Sequence, residues 1–173
     1  FHVINHLTFE ETDETRNVLV ESARIARGNI RDIATVSATD LDALILPGGF
    51  GAAKNLSDFA FQGPQALVQP DVRRLIREMS ESGKPIGGIC IAPATLVSAL
   101  SDRQPEVTIG NDVGTATGIE TMGGKHQVCS VDMIHVDARN KLVTTPAYML
   151  GPGIRDVAAG IEKLVHQILS MIR

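Results

Sequence analysis

Two short apolar runs limit what this chain can fold into. Residues 41–46, Leu-Asp-Ala-Leu-Ile-Leu, lead into Pro47-Gly48-Gly49-Phe50-Gly51. Residues 85–89, Pro-Ile-Gly-Gly-Ile, lead into Cys90. Short apolar runs bounded by turn residues and flanked by helix-period segments fit buried strands of a mostly parallel sheet. The intervening segment supplies the helix: Val72, Leu75, Ile76 and Met79 recur at i, i+3, i+4 and i+7, and Gly83 stops the pattern. The chain therefore reads as alternating strand and helix, an α/β sandwich.

The remaining elements follow the same rule. A strand end is expected at 1–4, a loop at 5–15, and a helix at 17–27 stopped by Gly28. Residues 57–69 show no period and read as a surface excursion. Helices are expected at 71–82, 92–100 and 115–122, and strands at 107–109, 127–131, 133–136 and 142–144. The turn residues at 137–140 make 132–144 a small antiparallel hairpin. Ile154, Val157, Ala158, Ile161, Leu164, Val165, Ile168, Leu169 and Ile172 form one apolar stripe on a terminal helix.

Bulk properties exclude several function classes. With 173 residues, a single domain over 1–173 is expected, large enough for a real core. A hydrophobic share of 43% excludes a disordered chain. The formal net charge of -4, with no run of more than two Lys or Arg, argues against nucleic-acid binding. No apolar stretch is long enough for a membrane helix. Cys90 and Cys129 are far apart and form neither a CxxC motif nor a disulfide framework, so a reducing compartment is the default. The chain begins Phe1-His2-Val3 without Met, which reads as a fragment or processed form.

The chemistry concentrates at strand ends, where open α/β sheets bind ligands. Pro47-Gly48-Gly49, Cys90-Ile91 and Thr144-Thr145-Pro146 should meet there. A cysteine at a strand-to-helix junction is a candidate nucleophile, and the next helix's first amides would favour an anionic sulfur. The Ile91 amide, and one at Gly48 or Gly49, are natural donors to an oxyanion. Lys54 and Asn55 are placed to line the pocket or to cap the following turn. Cys129 reads as a core residue of a strand. His126, after Gly123-Gly124-Lys125, is the stronger histidine candidate for partnering Cys90. His135 and Asp137 share a strand face but sit beside the hairpin turn, and His166 reads as a rim residue. Neither phosphate-loop spacing nor metal-ligand spacing is present, so no nucleotide site or metal is expected.

Three segments resemble one family. They are 46–55, Leu-Pro-Gly-Gly-Phe-Gly-Ala-Ala-Lys-Asn; 83–94, Gly-Lys-Pro-Ile-Gly-Gly-Ile-Cys-Ile-Ala-Pro-Ala; and 141–149, Lys-Leu-Val-Thr-Thr-Pro-Ala-Tyr-Met. Together with 16–28 they are similar to the ElbB-like (isoprenoid biosynthesis, enhancing lycopene biosynthesis) proteins. That group belongs to the ThiJ/PfpI superfamily, whose fold is class I glutamine amidotransferase-like and flavodoxin-like. The resemblance implies a three-layer sandwich with a mostly parallel sheet, Cys90 as a nucleophile-elbow cysteine, and Gly49 and Ile91 as the oxyanion hole. It places His126 near the position of an active-site histidine, with Lys125 inserted before it. Gly48, Lys54, Asn55 and Thr145 would contact substrate. It implies no cofactor, a small carbonyl substrate and a homodimer; composition already argues against nucleic acid or membrane as partner.

Two departures accompany the resemblance. Ile91 replaces the histidine that follows the cysteine in PfpI-like proteases, and the superfamily's N-terminal glutamate is missing along with the first strand and helix. The implied activity is glyoxalase-type conversion of 2-oxoaldehydes to hydroxy acids. The alternatives are a regulatory or redox-sensing protein and, more weakly, an amidase or amidotransferase. A cytoplasmic location is the default, an organellar one if a removed N-terminus carried a targeting segment.

Overall fold

A computed structural model describes residues 3–151 and 153–172. The chain divides into two compact units, Phe1–Val36 and Ser37–Arg173. In the first, Ile4 and Glu11 form an antiparallel bridge; Phe1 and His2 of the expected strand end lie outside the described residues. Helix α1, Val18–Ala26, starts where the Asn17 side chain accepts the Val20 N–H at 3.1 Å. This cap satisfies one of the first-turn donors that have no partner inside the helix. The helix stops where Arg27 turns left-handed (φ 53°).

The second unit carries the sheet. In chain order its elements are β1 (Leu44–Leu46), α2 (Phe59–Gln62), α3 (Pro70–Glu81), β2 (Ile86–Ile89), α4 (Ala92–Ala99), β3 (Glu106–Val107), α5 (Val113–Thr121), β4 (Lys125–His126), β5 (His135–Asp137), β6 (Leu142–Thr145) and α6 (Ile154–Met171). The main sheet has the order β1-β2-β6-β5. β1, β2 and β6 are parallel, with Leu46 opposite Gly88 and Ile89 opposite Thr145. β5 pairs antiparallel with β6, the expected hairpin. β3 and β4 form a separate parallel pair.

Consecutive glycines in β2 reveal the layers, because successive residues of a strand point to opposite faces. A Cβ at Gly88 would lie 2.8 Å from Leu96 of α4, and one at Gly87 would lie 3.1 Å from Leu164 of α6. Helices α3 and α4 thus cover one face and α6 the other. The second unit is an α/β three-layer sandwich with a mostly parallel sheet. Ile89, Val143, Ala147, Val157, Leu164 and Ile168 form the core on the α6 face. On the other face Val72, Leu75, Ile76 and Met79 of α3 are buried, the stripe read from the sequence.

Several expected boundaries move. The strand expected at 41–46 begins only at Leu44. Residues Ala38–Asp40 form a 3-10 turn, and Lys84 Nζ donates to the carbonyls of Ala38 and Leu41 (2.7 and 2.6 Å), holding that stretch as a loop. The strand expected at 107–109 ends at Val107, because the Thr108 N–H is drawn to Thr144 Oγ1 at 2.9 Å. The strand expected at 127–131 is irregular. The ladder is used up by Lys125 and His126, and Gln127 makes one last bond to Val107 O at 2.9 Å. Cys129 is therefore half-buried in a loop rather than in a strand core. The excursion at 57–69 is closed by a Ser57–Val68 bridge and includes α2. The terminal stripe is only partly a core face: Val157, Leu164 and Ile168 are buried, whereas Ile154 is 78% and Leu169 59% exposed.

Candidate active site

The carboxyl ends of β1, β2 and β6 lie on one edge because the three strands are parallel and in register. The three segments singled out at strand ends therefore converge. β2 hands over to α4 through Cys90, whose φ is 62°. A non-glycine residue in this left-handed region is uncommon and costs about 1–2 kcal/mol. The neighbours supply the constraint. The Cys90 N–H donates to Thr145 O at 3.0 Å, and α4 begins two residues later. The cysteine is free and half-buried, and its body packs against the α6-side core.

Gly48 explains why the loop after β1 can reach this elbow. Its φ is 83°, and a Cβ there would collide with Ile89 O and lie 3.0 Å from Cys90 Cβ. Only glycine permits that approach. Gly49 is exposed, also at positive φ (88°), and has open space where a Cβ would stand. Neither the Gly49 nor the Ile91 N–H finds an acceptor among the described residues. Two unspent amides flanking a thiol have the elements of an oxyanion site.

Thr145 is fully buried. Its carbonyl holds the Cys90 N–H, and its hydroxyl donates to Met133 O at 2.8 Å. The same hydroxyl and Val131 O fill the space where a Cβ at Gly160 would stand, so α6 approaches β6 only through that glycine. Thr145 thus meets the elbow through its backbone, with its hydroxyl on the α6 side.

His126 stands on β4, opposite Val107. Its Nε2 accepts the Ile109 N–H at 3.4 Å, and Thr108, the preceding residue, is tied to Thr144. The imidazole is thereby set against the loop that borders the end of β6. Burial pushes its pKa below the ordinary histidine value, and His135 adds to this; the Glu120 charge and a backbone hydrogen bond at Gly110 act in the opposite direction. Asp137 does not orient His135. It is buried, and its carboxylate accepts the N–H groups of Glu106 (2.9 Å) and Asn140 (3.0 Å) and the Asn140 amide (2.7 Å). His135 Nε2 is buried without a hydrogen-bond partner, 3.9 Å from Glu106 Oε2. His166 is exposed, as expected. Among the described residues no cluster of three His, Cys, Asp or Glu is placed to hold a metal.

Residues 52–56, Ala-Ala-Lys-Asn-Leu, form a π-helical turn beside the elbow, a local form often found at functional sites. Ala52 and Ala53 donate to Gly49 O at 3.0 and 3.4 Å, and the buried Ser57 hydroxyl meets Thr95 of α4 at 3.3 Å. Lys54 Nζ lies 5.8 Å from the Phe50 ring centre and 5.4 Å from that of Phe61. The two rings escaped the sequence reading. The i, i+4 spacing of Phe50 and Lys54 was the available signal, but Phe61 arrives only through the closed excursion.

The fold defines a class, the α/β sandwiches of the DJ-1/PfpI family. The DJ-1/PfpI family pattern matches residues 28–144, and the chain belongs to that family. It is 46% identical over 180 residues to the human mitochondrial glutamine amidotransferase-like class 1 domain-containing protein 3, covering 98% of this chain and 66% of that protein. The rat mitochondrial ES1 protein homolog is 43% identical, with 98% and 67% covered. The chain thus spans about two thirds of these curated relatives. A crystal structure of an isoprenoid biosynthesis protein with an amidotransferase-like domain, from Ehrlichia chaffeensis, superposes with a TM-score of 0.90. It is 36% identical, and 99% of this chain and 78% of that one are covered. Glyoxalase III from Candida albicans shares the fold, with a TM-score of 0.60 at 13% identity, 90% of this chain and 69% of that one being covered.

Proposed function

We propose that this chain carries a cofactor-independent, cysteine-dependent glyoxalase-type activity on small 2-oxoaldehydes. The supporting observation is Cys90 held at φ 62° between two amides that find no acceptor among the described residues, those of Gly49 and Ile91. In the proposed sequence the Cys90 thiolate adds to the aldehyde carbon, and the resulting oxyanion is received by the two amides. A base, for which His126 is the proposed group, takes the proton from that carbon, and a proton is returned to the neighbouring one. The thioester so formed is hydrolysed by water to the 2-hydroxy acid, regenerating the thiol. The sum is addition of one water with no net redox change. Gly48 and Thr145 would act by holding the elbow, while Lys54 and Asn55 would border the substrate.

The test is turnover of methylglyoxal by the full chain. In Cys90→Ser the rate should fall at least about a thousandfold, to background. Undiminished activity would overturn the reading.

A second reading, a regulatory or redox-sensing protein using the same thiol, is favoured by the His126 ring, whose Nε2 already takes the Ile109 N–H. Selective peroxide oxidation at Cys90 without turnover would support it. The isoprenoid biosynthesis name of the Ehrlichia relative favours a link of either reading to isoprenoid metabolism, and an ElbB-like role is proposed on the sequence resemblance. The mitochondrial names of the human and rat relatives favour an organellar location over the cytoplasmic default. A homodimer is proposed on the family resemblance.

A further inference from the structure

The scheme above places Lys54 at the border of the substrate but gives no role to the two rings around it, Phe50 and Phe61. Phe50 is 78% and Phe61 54% exposed, yet both rings are gathered around one ammonium group. The cation–π attraction holds Lys54 Nζ without neutralising it. Among the described residues no carboxylate makes an ion pair with Lys54. The neighbouring acid in sequence, Asp58, is turned onto the Leu67 N–H at 2.6 Å. The turn that carries Lys54 is pinned at both ends to the surroundings of Cys90. Ala52 and Ala53 bond to Gly49 O, and Ser57 bonds to Thr95, on the helix that starts just after the cysteine. A cation with no carboxylate partner among the described residues, flanked by two apolar rings, thus stands on a turn anchored beside the elbow.

We infer that Lys54, with Phe50 and Phe61, selects carbonyl substrates that carry an anionic group next to an apolar portion. The ammonium would meet the anion and the rings would cover the apolar carbons. The inference rests on Cys90 being the reactive group, and it narrows the substrate class from small neutral 2-oxoaldehydes to negatively charged carbonyl compounds. Charge complementarity supports it: a substrate carboxylate or phosphate would find a positive charge that no carboxylate among the described residues has claimed.

Alkylation of the 173-residue chain tests this without a known substrate. Iodoacetate carries a negative charge; iodoacetamide has nearly the same shape and none. Modification of Cys90 and of Cys129 is followed separately by peptide mass. In Lys54→Gln the iodoacetate-to-iodoacetamide rate ratio at Cys90 should fall roughly three- to tenfold, the effect of one charge about 4–6 Å away in a largely aqueous dielectric. Lys54→Arg should keep the ratio, and the ratio at Cys129 should not change. In the unmodified sequence the Cys90 ratio should also fall at about 1 M salt, where screening reaches about 3 Å. A Cys90 ratio insensitive to both Lys54→Gln and salt overturns the inference. Iodoacetamide reacting no faster at Cys90 than at Cys129 would instead remove the nucleophile on which it rests.

Discussion

At the residue scale, Gly48 and Cys90 depend on each other. Cys90 takes a left-handed backbone so that its side chain stands at the strand end, and Gly48 gives up a side chain so that the neighbouring loop can close against it. Gly48→Ala combines a Cβ collision with Ile89 O and an unfavourable φ. It should cost at least about 2 kcal/mol, read as a shift in the urea midpoint. It should also slow Cys90 alkylation, because the loop must move away. A variant of unchanged stability and thiol reactivity would show that the loop does not support the elbow. Gly48 was legible as a loop glycine, but its contact with Cys90 joins residues forty-two positions apart, which no local pattern encodes.

At the element scale, helix periodicity separates a buried stripe from an exposed one only where the helix end is covered. In α3 the whole i, i+3, i+4, i+7 set is buried, and Ile76 is fully so. In α6 the same pattern overruns the sheet, leaving Ile154 outside. Ile76→Ala should therefore cost about 2–5 kcal/mol, whereas Ile154→Ala should stay within about 0.5 kcal/mol. Equilibrium denaturation of the two variants checks the contrast; equal losses would mean that Ile154 is covered in solution. The strands obey the same reasoning in reverse. β3 and β4 are only two residues each, because Thr108 and Ile109 spend their amides on Thr144 and His126 rather than on a longer ladder.

At the scale of the whole molecule, stability should depend on pH through His126. Its pKa is lowered in the folded chain, mainly by burial, so the unfolded chain binds the proton more readily. The resulting stabilisation is complete above the unfolded value of about 6.5 and is lost as pH falls through the folded value. Urea midpoints measured from about pH 7.5 down to about pH 5 should thus decline more steeply for the natural sequence than for His126→Gln. Parallel curves would show that this imidazole does not couple to folding. Asp137 acts at lower pH. Burial raises its pKa, but the amides of Glu106, Asn140 and Arg139 and the Asn140 side chain outweigh that and hold it below the ordinary carboxylate value.

The sequence by itself determined the alternation of strand and helix and the position of the thiol. Strand and helix periods, glycine stops and the strand-to-helix handover are local properties, and they identified the buried strand before Cys90, the α3 stripe and the antiparallel hairpin. Tertiary structure alone decided which partners meet the thiol's neighbourhood. Thr145 presents a carbonyl rather than a hydroxyl to the elbow, His126 turns its ring to the Ile109 amide, and Phe61 closes over Lys54. The reason is physical. Periodicity reports which face of an element is apolar, whereas the direction of a hydrogen bond or the neighbour of a cation depends on how distant segments compete for the same backbone groups and the same space.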